Sequence, residues 1–519
     1  MAYIGWDIWH WLAVCQHELL LFAGFFFLLG AVDDLAVDLA WLWLKLTGRA
    51  RTGRVTRQEL QERPLHGPTA VFVPAWQEAD VIVETIAHLL GVWPQRHLRL
   101  YIGIYRNDAA TLDAAMAGAR GDPRLRLVIH DRDGPSTKAD CLNRLYEAMS
   151  DDELRSGFRF KAIVFHDAED MVDPAGLGLL DWAIEDGADF VQLPVEPLPQ
   201  PARDWLGSHY CEEFAEAHGK AMVVRGAIGA GLPAAGVGCA VARGALTAME
   251  RRTSSALPFA SDSLTEDYEL GLRIAESGGQ CRFLRARGED DRLIATRAYF
   301  PSQLGPVVRQ KTRWVHGISL QGWDRTGWSG GLAERWMRAR DRRGPLTALV
   351  LALGYALILL TVFSALAASI GGAQPIELSP LLIGVLIANL AFFAWRAAWR
   401  FAFTARNYGI AEGLFAVLRI PVTNLVAIMA GRRAVSAYWR TFFGEVTAWD
   451  KTSHSRHPSQ PSHEHSYDHS SKQRAPVPLH DLHRTQVDGD PDAPALPLRR
   501  GAGHGEPTAL GQLPEEVEA

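Results

Sequence analysis

The sequence predicts an α/β fold, a doubly wound and mostly parallel sheet with helices on both faces, joined to membrane-spanning helices. Apolar β-branched runs alternate with helical patterns from residue 69 onward. One such run, 160–165, has no polar alternation, as in a strand buried on both faces, and ends in a cluster of acids. Two later stretches, 346–370 and 378–395, carry no charged residue.

The strands and helices follow in regular order. Strands are predicted at 69–73, 98–104, 125–129 and 160–165, and helices at 81–90, 109–119 and in the segment that carries Lys138. Parallel α/β sheets bind ligands at the carboxyl ends of their strands. Here those ends carry Glu78, Asn107, Asp108, Asp167 and Glu169. The sequence therefore predicts a polar, partly acidic site at one edge of the sheet.

Several functional classes are excluded by what the sequence lacks. No Gly-x-Gly-x-x-Gly follows the first strand and no GxxxxGK[ST] occurs, which argues against a Rossmann dehydrogenase and a P-loop ATPase. The net charge of −6 and the absence of a basic aromatic stripe argue against a nucleic-acid partner. The five cysteines are scattered without a CxxC pair, as expected for reduced thiols.

The apolar stretches predict three transmembrane helices, at 8–32, 346–370 and 378–402, because about 20 apolar residues cross a bilayer. Lys and Arg follow the first and third of them, which places those flanks in the cytoplasm. The expected topology has the N-terminus outside, a cytoplasmic basic linker at 33–64, a cytoplasmic domain at 65–330, and a hairpin out and back.

Two further regions and one acidic group complete the organisation. Residues 409–433 are apolar but interrupted by charge and proline, which favours an interfacial helix, and 451–519 are polar and histidine-rich, which favours a disordered tail. Asp33, Asp34 and Asp38 are expected at the membrane interface or paired with the nearby arginines.

Three motifs each allow a functional and a plain structural interpretation. Asp167-x-Glu169 has the donors for a hard divalent cation, or belongs to a loop whose acids face water. Thr265-Glu266-Asp267 is a helix N-terminus with favourable acids, or places Asp267 in a cleft as a catalytic base. The segment Gln310-x-x-Arg313-Trp314 is an amphipathic helix on the membrane, one that can also face a cleft.

Taken in order, these motifs resemble the family 2 glycosyltransferases. The resemblance covers residues 65–330 and is closest to the membrane-embedded, processive branch that includes cellulose and hyaluronan synthases. Its specific part is Thr-Glu-Asp followed by Gln-x-x-Arg-Trp. It implies a GT-A fold and the following roles: Glu78 with Asp108 or Asn107 on uridine, Lys138 near the phosphates or uracil, Asp167 and Glu169 on Mg²⁺ or Mn²⁺, Asp267 as base beside Glu266, Arg313 on the leaving diphosphate, and Trp314 stacked on an acceptor sugar. It also makes Gln310 a substrate-binding residue.

The implied function is inverting transfer of a hexosyl or N-acetylhexosaminyl group from a UDP-sugar to a glycan or lipid acceptor at the cytoplasmic face of a bacterial inner membrane. Repeated transfer would build a cell-surface polysaccharide. Two departures stand out: Glu169 replaces the usual Asp of the metal motif, and three spans are fewer than most self-exporting synthases have. The alternatives are a catalytically silent scaffold or receptor for glycan export or phage adsorption, with an outer-membrane partner, and a glycoside hydrolase with paired carboxylates.

Overall fold

The computed structural model describes residues 8–201, 204–252, 257–370, 378–444 and 456–459. The α-helices are α1 Ile8–Leu46, α2 Arg57–Glu62, α3 Ile82–Val92, α4 Ala109–Ala119, α5 Lys138–Ser156, α6 Gly176–Glu185, α7 Trp205–Glu216, α8 Met222–Ala227, α9 Arg243–Glu250, α10 Glu266–Glu276, α11 Leu304–Trp314, α12 Gly322–Thr326, α13 Leu332–Arg342, α14 Gly344–Ser369, α15 Pro380–Tyr408, α16 Ile410–Leu418 and α17 Ile420–Thr441. Two π-helical segments, Ala217–Ala221 and Val315–Gln321, follow α7 and α11.

The strands are β1 Gly53–Arg54, β2 Thr69–Ala75, β3 Leu98–Tyr105, β4 Leu125–His130, β5 Ala162–Phe165, β6 Phe190–Gln192, β7 Val195–Pro197, β8 Cys239–Ala242, β9 Cys281–Phe283, β10 Ala286–Arg287 and β11 Thr296–Ala298. Seven of them form one sheet in the order β4-β3-β2-β5-β8-β6-β9. Strand β8 runs antiparallel to both of its neighbours, and the other pairs are parallel. The predicted doubly wound, mostly parallel sheet is confirmed, with one reversed strand.

Both faces of the sheet are buried, which explains the continuous apolar runs. In β2, Val71 and Val73 pack into a core with α3 and α6, while the alternate residues Ala70 and Phe72 pack into a second core with α5. Alternation of side chains along a strand produces these two cores, one on each side. Phe72 is fully buried, and burying such a side chain contributes roughly 1.5–3 kcal/mol.

Three helices are long and apolar enough to cross a membrane: Trp9–Leu46, Gly344–Ser369 and Pro380–Tyr408. The region predicted as one interfacial helix, 409–433, is instead two helices, α16 and α17, bent by 52°. The break falls at Arg419-Ile420-Pro421, because proline lacks the N–H that a continuous helix needs.

The first helix continues through Leu46, so residues 33–46 of the predicted basic linker 33–64 are helical. The physical reason is that the three acids in this stretch have distant partners. Asp33 and Asp34 form ion pairs with Arg340 and Arg343 beyond the soluble domain, and the Trp395 indole N–H donates to Asp38 at 2.8 Å. Asp33 and Asp34 therefore pair with arginines, but with arginines that lie about 300 residues further along the chain rather than just after α1.

Most of the predicted tail, 451–519, lies outside the described residues, but 456–459 do not. His457 is fully buried, and its Nε2 donates to the Asp170 carbonyl oxygen at 3.1 Å. This short segment therefore contacts the loop that follows β5.

Candidate functional site

The site lies where β2, β3 and β5 end and β8 begins. Because β8 is reversed, Cys239 at its start pairs with Phe165 at the end of β5. Phe165 and Cys239 line a small pocket together with Lys138, Glu266 and Asp267. The sheet edge, α5 and α10 thus bring together charged residues that are far apart in the chain.

Lys138 is the first residue of α5, a helix that Thr137 caps by accepting from the Asp140 N–H at 3.2 Å. The Nζ atom of Lys138 lies 2.5 Å from Asp167 Oδ1. Burial lowers the pKa of Lys138, but the carboxylates of Asp167, Glu266 and Asp267 outweigh it and raise that pKa above its usual value. A lysine at a helix N-terminus offers a positive charge and aligned N–H groups, the combination that binds phosphate.

The loop after β5 carries one buried acid, Asp170, and two partly exposed acids, Asp167 and Glu169. Asp170 is buried and accepts from the Asp167 N–H and from His166 Nδ1, both at 2.9 Å. It fixes the loop and is committed to these bonds. The Asp167 side chain is 32% exposed and Glu169 is partly exposed.

The metal prediction is compatible with this donor set. Among the described residues no group of three or more His, Cys, Asp or Glu side chains is arranged to hold a metal. However, Mg²⁺ is commonly held in proteins by one or two carboxylates together with substrate phosphates. Asp167 and Glu169 supply two carboxylates of this kind. Asp167 lies beside Lys138, whose position at a helix N-terminus suits phosphate binding.

The Thr-Glu-Asp motif forms the start of α10, as predicted, but not as an ordinary cap. Thr265 precedes the helix, yet its buried hydroxyl has no hydrogen-bond partner among the described residues. The Oδ1 atom of Asp267 accepts from the Tyr268 N–H at 2.7 Å. Burial and the Asp167 carboxylate raise the pKa of Asp267, although Lys138 and Arg313 oppose the shift. A raised pKa suits a group that must take up a proton near neutral pH.

Gly236 is the close neighbour of that carboxylate. It has φ of +80°, and a Cβ atom built there would overlap Asp267 Oδ2. The resemblance makes Asp267 the base, so we expect Gly236→Ala to displace its carboxylate and to lower the rate of nucleoside diphosphate release by about 10²-fold, the cost of a misplacement of about one ångström. Gly229→Ala is the matched control, since Gly229 has φ of +70° with open space around it. Equal activity losses in the two variants would contradict a role for Asp267 in the reaction.

Glu266 is buried, and its Oε1 atom has no hydrogen-bond partner within the described part of the chain. Burial and the neighbouring Asp267 charge raise the pKa of Glu266 to about 7. The folded carboxyl therefore holds its proton up to a higher pH than the unfolded one, and stability falls as pH rises from about 4.5 through 7, by roughly 1.4 kcal/mol for each unit of difference.

Glu266→Gln removes this penalty, since the amide does not ionise. We expect its melting temperature to exceed that of the wild type at pH 8.5 and to match it near pH 4.5. The check is thermal unfolding of the full chain at both pH values, with the exposed Glu147→Gln as control. A difference that is independent of pH would contradict the assigned protonation.

The three residues that the resemblance assigns to uridine, Glu78, Asn107 and Asp108, are held by the surrounding structure. Asp108 accepts from the Gln77 N–H at 2.5 Å and from the Thr111 N–H at 3.3 Å. Asn107 exchanges two hydrogen bonds with Gly134, at 2.8 and 2.9 Å. Glu78 is 3% exposed. These three residues lie at the predicted sheet edge, where they join the loops after β2, β3 and β4, and none of them lines the pocket.

The residues of the Gln-x-x-Arg-Trp segment have different surroundings, which the sequence does not predict. Gln310 is 8% exposed, and its Oε1 accepts from the Tyr210 hydroxyl at 2.6 Å, so it joins α11 to α7. Trp314 packs edge-on against Tyr210 and Phe214. Gln310 and Trp314 therefore take part in packing rather than lining the pocket. The Arg313 charge does act on the pocket, since it lowers the pKa of both Glu266 and Asp267.

Phe259 and Gly236 are among the pocket residues that the motifs do not predict. Phe259 lies in an irregular segment with no signal in the sequence, and Asn143 holds it through bonds to its backbone N–H and carbonyl at 3.1 and 2.8 Å. Gly236 belongs to a glycine-rich stretch, 226–238, whose composition favours close backbone approach.

Comparison with known proteins finds similar sequences over most of this chain. Residues 66–317 match the model of a family described as "Glycosyltransferase like family 2". The chain is 31% identical over 452 residues to bacteriophage adsorption protein B of Escherichia coli K12 and to bacteriophage N4 adsorption protein B of Escherichia coli O157:H7. The match covers 82% of this chain and 60% of each relative, so the chain spans less than two thirds of their length.

Two solved structures have a similar but more distant fold. A mannosyltransferase from Pyrobaculum calidifontis in complex with GDP-Man and Mn²⁺ has a TM-score of 0.40 and 15% identity, covering 76% of this chain and 98% of that one. Glucosyl-3-phosphoglycerate synthase from Mycobacterium tuberculosis in complex with Mn²⁺, UDP and phosphoglyceric acid has a TM-score of 0.29 and 17% identity, covering 51% and 84%. Residues 66–317 therefore match a glycosyltransferase family 2 model and contain a mixed, mostly parallel sheet of seven strands, in a chain that also carries three apolar helices long enough to cross a membrane.

Proposed function

We propose that this chain is an inverting glycosyltransferase that moves a hexosyl or N-acetylhexosaminyl group from a nucleoside-diphosphate sugar, UDP-linked, to a glycan or lipid hydroxyl. The observation that carries the proposal is the convergence of one cation and several acids on one pocket. Lys138, Glu266 and Asp267 line it, and Asp167 forms an ion pair with that lysine.

Lys138 and the first N–H groups of α5 bind the donor's diphosphate. In the absence of donor, Asp167 neutralises Lys138 at 2.5 Å, and a diphosphate would take over that role with two or more negative charges. Asp167 and Glu169 would hold Mg²⁺ or Mn²⁺, which would neutralise the charge that develops on the leaving phosphate oxygen. Arg313 adds a second positive charge from α11.

Asp267 acts as the general base. The acceptor oxygen forms a bond to the anomeric carbon while the bond from that carbon to the phosphate oxygen breaks. The acceptor proton passes to Asp267, and the electron pair of the broken bond leaves with the nucleoside diphosphate. Backbone donation from Tyr268 orients the carboxylate, and Gly236 leaves room for it.

The membrane helices support an acceptor that is membrane-bound or extruded. We place the domain on the cytoplasmic side of a bacterial inner membrane, since the basic flanks that follow the first and third spans favour that side. Repeated transfer into a surface polysaccharide, with a separate outer-membrane partner for export, fits three spans better than self-export.

The names of the curated relatives favour one alternative, a catalytically silent scaffold that takes part in phage adsorption. The two functions differ in one observable. A transferase releases nucleoside diphosphate from a sugar nucleotide, and a silent scaffold does not.

The experiment is a release assay on the full chain in membranes, with a panel of UDP- and GDP-sugars. We expect metal-dependent release with at least one donor, loss of release in EDTA and recovery on adding Mn²⁺ or Mg²⁺. Asp167→Asn should raise the metal concentration needed, while Asp151→Asn, an exposed acid on α5, should not. No release with any donor would favour the scaffold.

A further inference from the structure

A second pocket lies at the end of α1, beside the edge strand β9 of the large sheet. It lies between the end of α1, helix α8 and the edge strand β9, is open to solvent, and shares no lining residue with the pocket that contains Lys138 and Asp267. Its lining contains five cations, Lys45, Arg49, Arg51, Arg282 and Arg285, and no acid.

Four of these cations lack a carboxylate partner. Arg282 is neutralised by Asp186 at 2.6 Å. Lys45, Arg49, Arg51 and Arg285 form no ion pair with any residue in the described ranges. The Nε atom of Arg285 is buried without a hydrogen-bond acceptor in that part of the chain, and its Nη1 reaches only the Thr52 hydroxyl, at 3.5 Å.

The proximity of these four cations is unfavourable in free energy unless an anion binds between them. Burial and the nearby Arg287 and Arg406 lower the pKa of Arg285 to about 10, with Glu196 opposing them. Like charges that share a site repel each other, and the buried Nε–H of Arg285 loses its hydration without compensation. A phosphate group would accept hydrogen bonds from several of these donors at once.

The position of the pocket points toward the membrane. The exposed side chains Phe25, Leu29, Val32, Leu39, Trp43 and Leu46 follow one another at intervals of three, four and seven residues. Such spacing places them on one face of α1, so an apolar stripe runs along the helix to its last turn. Arg49 lies over the exposed Trp43 ring at 4.9 Å, so the cations begin where this stripe ends.

We propose that Lys45, Arg49, Arg51 and Arg285 form a binding site for a phosphate group, with an anionic phospholipid headgroup as one source and a soluble phosphate as the other. The stripe on α1 supports the lipid source, because lipid chains along it would bring a headgroup to the pocket rim. Basic residues at the end of a membrane helix attract anionic lipids in this way.

The test is thermal unfolding of the purified full chain in a zwitterionic detergent at constant ionic strength. The chain is titrated with dioleoyl-phosphatidylglycerol, with dioleoyl-phosphatidylcholine, and separately with inorganic phosphate and pyrophosphate. A ligand that binds only the folded chain raises its melting temperature. A rise with phosphatidylglycerol alone assigns the lipid source, and a rise with phosphate or pyrophosphate assigns the soluble one.

Arg285→Gln is expected to weaken the response about tenfold in concentration, the value of one charge-assisted hydrogen bond. Arg51→Gln, at an exposed position, is the second variant should Arg285→Gln fail to fold. Arg251→Gln, an exposed arginine outside the pocket, controls for net charge. The proposal is overturned if neither anion exceeds phosphatidylcholine, if both pocket variants respond like the wild type, or if Arg251→Gln loses the response equally.

Discussion

Asp267→Asn is expected to lower the rate of nucleoside diphosphate release by about 10²–10⁴-fold, the usual contribution of a positioned general base. Asparagine keeps the shape of the side chain and can still accept from the Tyr268 N–H, but it cannot take up the acceptor proton. The measurement is release with the donor identified in the panel, at saturating acceptor and over a range of pH.

The matched control is Asp151→Asn, which removes one exposed acid from α5. It should leave the rate unchanged, and the melting temperature of Asp267→Asn should equal or exceed that of the wild type, since a buried charge is removed. Wild-type release by a folded Asp267→Asn protein would assign the base to another residue.

Glu212→Ala is expected to destabilise the chain by about 3–5 kcal/mol, because it leaves buried charges without a partner. The Glu212 carboxylate is fully buried and accepts from Arg419 Nη2 at 2.8 Å and from Arg400 Nη2 at 2.9 Å. Arg419 is 2% exposed and retains only Glu412, at 2.6 Å. The cluster joins α7 of the glycosyltransferase domain to α15, α16 and the start of α17.

The measurement is the temperature at which half of the detergent-solubilised chain remains monodisperse after heating. Glu147→Ala is the control, since its ion pair with Arg144 is exposed, with 3.6 Å between the charged atoms, and such pairs contribute about 0–1 kcal/mol. Equal losses in the two variants would mean that the buried cluster does not hold the helices to the domain.

The parts of the fold that local sequence determines could be predicted. The β-branched runs of β2 and β3 have both faces buried, and the Ala-rich run after Asp108 forms α4 within the predicted limits of 109–119. Strands β6, β8 and β9 have only three or four residues each, too few to show a period. The reversal of β8 therefore depends on tertiary pairing that no local pattern records.

The identity of the site residues could be predicted from the sequence better than the contacts that they make. Strand ends and a helix start place Asp167, Lys138 and Asp267, because topology brings those ends to one edge. The role of Gln310 could not be predicted, since its partner Tyr210 lies 100 residues away. Similarly, the partners of Asp33 lie about 300 residues further along, on α13, and only the folded chain brings them together.

The most direct test is a cryo-electron microscopy structure of the full chain in nanodiscs with UDP and Mn²⁺. We expect density for the diphosphate within hydrogen-bond distance of Lys138 Nζ and the first N–H groups of α5, with metal density against Asp167. Asp267 should lie across the same pocket with room for an acceptor. Nucleotide bound elsewhere on the domain, with this pocket vacant at saturating UDP, would contradict this expectation.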